Sequence, residues 1–361
     1  MRKFVSLLAV GFAAPLAAQA AAPTLDEVLT ASGVTLAGYV DSSYVFGKNK
    51  GDTLLFRTFD SKTGSFTFNQ AAFTVSKLPA EGFGGLVNVI AGDDATVING
   101  SYGDGSGKFN LTQAYVQYAT GGLTIIGGRY VTLAGAEVIN DTLNTNISRS
   151  FLFQLAEPLA HTGVRSSYKF SDAFTAYLGA ANSAVSGLAS DNNKQKTVEA
   201  GVAITPTSAL SIGLYDYYGH DPVGGEQQKT NYADLVISLQ AADALQFIIN
   251  ADYVKFFSTD TVQESNVKGV AGYVNVKLSD SLKASLRAEY LKSHNGFVAC
   301  GGGTDCNLKE VTLTLDYAAA KNFDLLGELR YDKGSDAVFL NGTDPLKDSQ
   351  GDIALKAIYK F

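Results

Sequence analysis

The final stretch of the chain, Asp352-Ile353-Ala354-Leu355-Lys356-Ala357-Ile358-Tyr359-Lys360-Phe361, constrains the fold more than any other. Ile353, Leu355, Ala357, Tyr359 and Phe361 share one parity, and Asp352, Lys356 and Lys360 share the other. Successive side chains of a strand point to opposite faces, so one face here is apolar and the other charged. A soluble sandwich has little use for a phenylalanine as the last residue of an apolar face. In a membrane-spanning barrel that residue ends a lipid-facing row at the interface, and its strand must pair with the first one to close the wall. The expectation is an all-β chain folded as a transmembrane, antiparallel, up-and-down barrel.

The other terminus agrees. Arg2 and Lys3 precede an uncharged run from Phe4 to Ala18, and Ala18-Gln19-Ala20 has the small-x-small form of a cleavage site. Residues 1–20 therefore read as a secretory signal peptide and stay outside the fold. A retained anchor helix is the weaker reading, because Pro15 and the alanines fall short of about twenty strongly apolar residues. Residues 21–33 are expected as a short periplasmic segment, with a capped helix over 24–32, and 34–361 as the barrel.

Composition fits strands and turns. The chain has 37 Gly, 7 Pro, 21 Phe and 18 Tyr, with no Trp and one Met, which is poor material for packed helices. The mean hydropathy of only +0.05 suits a wall whose strands each carry an apolar and a polar row. The net charge of −7 argues against a nucleic-acid partner. Cys300 and Cys306 flank a glycine-rich run, and in an exported protein this spacing reads as a local loop disulfide. No metal site or cofactor is expected, since His294 has no partner ligands at useful spacing.

Sixteen strand-like segments can be counted, at about 34–46, 65–77, 84–93, 109–119, 122–130, 161–170, 173–182, 196–205, 208–218, 229–240, 244–256, 265–278, 281–293, 307–318, 322–332 and 350–361. The clearest sets Leu282, Ala284, Leu286, Ala288 and Tyr290 against Lys283, Ser285, Arg287 and Glu289. Segments 109–119 and 122–130 alternate badly, which leaves their facing open and suggests a bulge. From the second strand onward every other link is short, as at Thr120-Gly121, Ser171-Asp172 and Ser279-Asp280, and the remaining eight are long and polar. Short turns on one side and long loops on the other is the asymmetry of outer-membrane barrels, with both termini in the periplasm.

Several stretches carry a resemblance to a known family. They are Gly38-Tyr39-Val40-Asp41-Ser42-Ser43-Tyr44, Ser65-Phe66-Thr67-Phe68-Asn69-Gln70-Ala71, Ala91-Gly92-Asp93-Asp94-Ala95, and Asn146-Ile147-Ser148-Arg149-Ser150-Phe151-Leu152-Phe153 continuing through Pro158 to His161-Thr162-Gly163-Val164-Arg165 and Tyr168. With these the chain resembles the OmpL-like β-barrel porins, the second β-barrel porin family. Its last residues, Tyr359 and Phe361 above all, resemble the C-terminal assembly signal of bacterial outer-membrane barrels. The resemblance implies an outer-membrane location, contact with membrane lipid and with the barrel-assembly machinery, and a barrel able to conduct solutes. Porin architecture also implies a homotrimer, with a monomer left open.

A lumen of about sixteen strands is too wide for side chains to fill, so it holds water. Inward Lys283, Arg287, Glu289, Glu328, Arg330, Asp352, Lys356 and Lys360 would line it, and small hydrophilic solutes would pass by diffusion. The longest connection, Val131–Ala160, carries the apolar cluster Phe151, Leu152, Phe153 and Leu155, too large to leave exposed. It is expected to fold inward as a constriction loop, presenting Glu137, Asp141 and Arg149 opposite Arg287 and Arg330. Two rivals remain. One is an adhesin or structural barrel. The other is a barrel-borne hydrolase using His161 with Ser148 or Ser150, since His220 and His294 fall in expected external loops. The acidic group Asp93, Asp94 and Asp104 lacks calcium-loop order and reads as solvated turn carboxylates.

Overall fold

Apolar residues at alternate positions, with turn residues between the runs, build sixteen strands. They are β1 (Thr35–Gly47), β2 (Phe66–Lys77), β3 (Gly82–Ala91), β4 (Phe109–Thr120), β5 (Leu123–Val131), β6 (Ala160–Ser171), β7 (Phe174–Ala181) and β8 (Thr197–Thr207). The second half comprises β9 (Leu210–Val223), β10 (Glu226–Ala242), β11 (Leu245–Phe256), β12 (Ser265–Lys277), β13 (Leu282–His294), β14 (Cys306–Ala320), β15 (Phe323–Gly334) and β16 (Ser349–Lys360). This computed structural model describes residues 23–102, 105–185, 190, 193–223, 226–298 and 305–361; the expected signal peptide, Cys300 and Asp104 lie outside them. Each strand pairs antiparallel with its sequence neighbours, and β1 pairs with β16 to close the barrel. No helix among the described residues is long and apolar enough to cross a membrane.

The closing seam ends on Phe361. Its amide donates to the Gly38 carbonyl at 2.9 Å, and the Gly38 amide donates back at 3.1 Å. The aromatic ring lies over Gly38, where an added Cβ would stand 2.4 Å from a ring carbon. Glycine is required there because the ring occupies the space a side chain would take.

The two faces separate as the alternation predicts. Leu313, Leu329, Ile353, Leu355 and Tyr359 are exposed on the outside, while Arg287, Glu310, Glu328 and Asp332 are buried within. So much exposed aliphatic surface on a closed wall is a lipid contact, not a water contact. The expected irregularity falls in β4, where the register against β3 shifts between Asn88 and Val89. Phe109 and Leu111 face outward before it, and Val116 and Tyr118 after it. The bulge changes the parity, which is why simple alternation fails there.

Two connections differ from the sequence pattern. The link between the ninth and tenth strands is no long loop, because β9 and β10 extend as a ladder up to Val223 opposite Glu226. His220 therefore sits in a strand, as does His294 at the end of β13. The connection after β3 contains a helix, α2 (Asp93–Tyr102), beside the expected α1 (Leu25–Ser32). Thr24 and Glu27 form a capping box at the start of α1, and Gly33, at φ 68°, ends it. Asp94 is buried on α2, bonded by Asn69 and Gln70, and so is not a solvated turn carboxylate. Cys306 is in a disulfide.

Candidate functional site

The segment between β5 and β6 enters the lumen, and wall residues hold it by its backbone. Its short helix α3 (Phe151–Leu155) is capped by Ser150, whose hydroxyl accepts the Phe153 amide. Glu289 on β13 accepts the Phe151 and Leu152 amides, both at 2.7 Å. Glu328 on β15 accepts those of Ile147 and Ser148 at 2.6 and 3.0 Å. Segment amides turned into a barrel have no ladder partners, so these carboxylates satisfy them.

Ion pairs complete the attachment. Arg287 bonds Glu137 and Glu310, each at 2.6 Å, and the Ser148 carbonyl at 2.7 Å. Arg330 bonds Asp332 at 2.6 Å, donates to the Arg149 carbonyl and lies 5.0 Å from the Phe151 ring centre. Asp141 lies between Arg149 and Lys356, and Lys356 also reaches Asp41 at 3.0 Å. Burial opposes ionisation of Asp141, but the Lys356 ammonium and Arg149 guanidinium outweigh it and hold the carboxyl below the usual range. Arg149 turns back onto the Val138, Ile139 and Ile147 carbonyls between the Phe59 and Phe153 rings.

Of the eight wall residues singled out by alternation, Arg287, Glu289, Glu328, Arg330, Asp352 and Lys356 are buried against infolded chain. Lys283 and Lys360 differ, being more exposed and paired with Asp316 and Asp324. Glu137 and Asp141 do not face Arg287 and Arg330 across a gap. Glu137 touches Arg287 directly, and Asp141 goes to Lys356 instead. The apolar cluster is covered, with Phe151 and Leu152 at 0 % exposure. Replacing Glu289 and Glu328 together by Ala strands four amides, at about 1–3 kcal/mol for each group left unsatisfied. We expect the double variant to lose its heat-resistant gel mobility at a lower temperature and to show noisier currents; unchanged behaviour in both would mean other contacts hold the segment.

Among the charged residues that alternation and motifs did not mark are four around one cavity and the wall near it. Arg57, in the connection after β1, bonds Asp60 and, at 2.7 Å, Asp352. It lines a cavity of about 190 Å³ together with Thr58, Ser101, Gln154 and Glu157. The other two, Asp234 on β10 and Asp252 on β11, stand directly opposite each other. Burial, and then the carboxylates of Asp252 and Asp234, push the Glu157 carboxyl well above its usual range. The two aspartates sit at polar positions of alternating strands and so were detectable by parity. Arg57 and Glu157 lie in irregular chain that has no period to read.

The hydrolase constellation does not assemble. His161 is buried, stacked on Tyr217 at 4.6 Å, with Nδ1 3.3 Å from the Ser183 carbonyl. The Ser148 hydroxyl accepts from Arg287, and that of Ser150 caps α3.

A closed sixteen-strand wall, apolar outside and charged inside, with a loop folded into its lumen, defines a porin-type barrel of the outer membrane. The chain belongs to the family described as "Putative beta-barrel porin-2, OmpL-like", whose profile matches residues 33–361. Among solved structures it is similar to the anion-selective porin from Comamonas acidovorans, at 15 % identity and a TM-score of 0.63, over 91 % of this chain and 99 % of that one. It is similar also to the outer membrane channel DcaP of Acinetobacter baumannii, at 16 % identity and 0.62, over 91 % and 97 %. A third is the trimer form of OmpT, an outer membrane protein of Vibrio cholerae, at 14 % and 0.62, over 91 % and 99 %. No curated protein matches the chain by sequence.

Proposed function

We propose that this porin passes small hydrophilic solutes by diffusion through a lumen narrowed by residues 132–159, and that it performs no chemistry on them. The observation that carries this reading is the polar cavity left beside the infolded segment, lined by Arg57, Thr58, Ser101, Gln154 and Glu157. Family membership and the porin fold support it. Arg287, Glu289, Glu328, Arg330, Asp352 and Lys356 act as the attachment of the constriction, and Lys283 and Lys360 line the mouth on the side of the short turns. That side is periplasmic in this reading, because both chain ends emerge there and outer-membrane barrels put their short turns in the periplasm. Biogenesis then requires removal of residues 1–20 and the barrel-assembly machinery, and the trimer form among the similar structures supports a homotrimer.

Planar-bilayer recording of the purified barrel tests the reading. Discrete, step-like conductance in potassium chloride is the expected result. A folded but silent barrel would overturn it in favour of an adhesin or structural role, and turnover of ester or peptide substrates would point to a hydrolase.

A further inference from the structure

The charges attached to the infolded segment are mostly compensated, but three carboxylates are not. Asp234 and Asp252 are 1 % and 4 % exposed and face each other across β10 and β11. Asn250 donates to one oxygen of Asp234 at 2.8 Å, and the Tyr232 hydroxyl to one oxygen of Asp252 at 3.0 Å. The second oxygen of each is buried with no partner but the facing carboxyl, and both oxygens of Glu157 are buried with none. Gly135 lies between two of them: its amide interacts with Asp234, and a Cβ on it would meet the Glu157 carboxylate at 2.0 Å.

The neighbouring cations are committed elsewhere. Arg287 pairs with Glu137 and Glu310, Arg165 with Glu199, and Arg57 with Asp60 and Asp352. Among the described residues the donors to Asp234 and Asp252 are uncharged, and Glu157 has none. Carboxylates gathered this way repel one another and lack hydration, and a positive guest relieves both costs. The aromatic at the carboxylates is Tyr232, buried beside Asp252 and bonded to it through its hydroxyl. Neighbouring carboxylates suit a guanidinium group, whose fixed fork of donors can reach more than one of them. A metal ion fits less well, because no group of three such ligands among the described residues is spaced to hold one.

We propose that Glu157, Asp234 and Asp252 form a binding subsite for the guanidinium group of a solute in transit. Glu157 also lines the polar cavity, so the subsite borders that cavity on the Glu157 side. The proposal rests on the porin reading, and it gives this barrel a preference for cationic solutes. That is opposite to the preference named for the Comamonas porin.

The test compares L-arginine with L-citrulline, which has nearly the same shape but no guanidinium charge. In proteoliposomes, arginine entry should exceed citrulline entry by about tenfold, the value of one charge-assisted hydrogen bond. The ratio should fall toward unity in Glu157→Gln and in Asp234→Asn/Asp252→Asn, with folding checked by gel mobility. Equal entry of the two solutes into wild-type vesicles would overturn the subsite and leave the porin reading standing. Entry of neither would overturn the porin reading, and calorimetry on the detergent-solubilised wild type would then decide the subsite. Heat with arginine and none with citrulline would support it; no heat with either would overturn it.

Discussion

Removing Asp141–Ser148 is expected to raise single-channel conductance by roughly two- to threefold, because it withdraws chain from a lumen that the strand count makes wide. These residues carry the Asp141 contact to Lys356, the amides bonded by Glu328 and the Ser148 carbonyl bonded by Arg287. Without them Glu328 loses its backbone donors, and Arg287 keeps Glu310 and Glu137 but loses both of its bonds to Ser148. Lys356 retains only Asp41, so one acidic charge leaves the constriction and selectivity should shift toward anions. The measurement is conductance and reversal potential of the shortened barrel in a potassium chloride gradient. If the shortened protein folds normally and both values match wild type, residues 132–159 do not set the size of the pore.

Deleting Phe361 should lower the amount of folded barrel in the membrane by about tenfold or more. Two seam hydrogen bonds to Gly38 disappear with it, and a backbone group left unsatisfied in lipid costs several kcal/mol. The ring that covers Gly38 is also lost, along with an aromatic of the interfacial girdle. Gly38→Leu tests the same joint from the other side, since its side chain must displace the ring while the terminus stays intact. Heat-modifiable mobility of membrane fractions reports both. Wild-type levels of folded protein in the deletion variant would show that the seam closes without its last residue.

Most of the wall was legible in the sequence, because its signal is local and periodic. A strand with lipid on one face and the lumen on the other repeats its environment every second residue, so Leu286 and Arg287 reveal their sides without knowledge of their neighbours. Turn residues mark the ends, and the unequal link lengths separate the two rims. The same logic located the irregular stretch in β4, where alternation breaks, though only the pairing with β3 showed the parity change. The apolar run Phe151–Leu155 also pointed inward on its own, since water excludes so much contiguous apolar surface.

The partners inside the lumen were decided by the tertiary structure alone. Glu289 and α3 are 138 residues apart where they bond, and Arg57 and Asp352 are 295 apart. No period links such pairs, and wall parity supplies only candidates. Alternation placed Arg287 and Glu328 on the inner face, but whether they met water or an infolded backbone depended on the path of residues 132–159. The same path buried Glu157 near Asp234 and Asp252 and left all three without a counter-charge. Local alternation thus determined the barrel and its faces, and long-range chain geometry determined which of the inner charges are attachments and which are left for a solute.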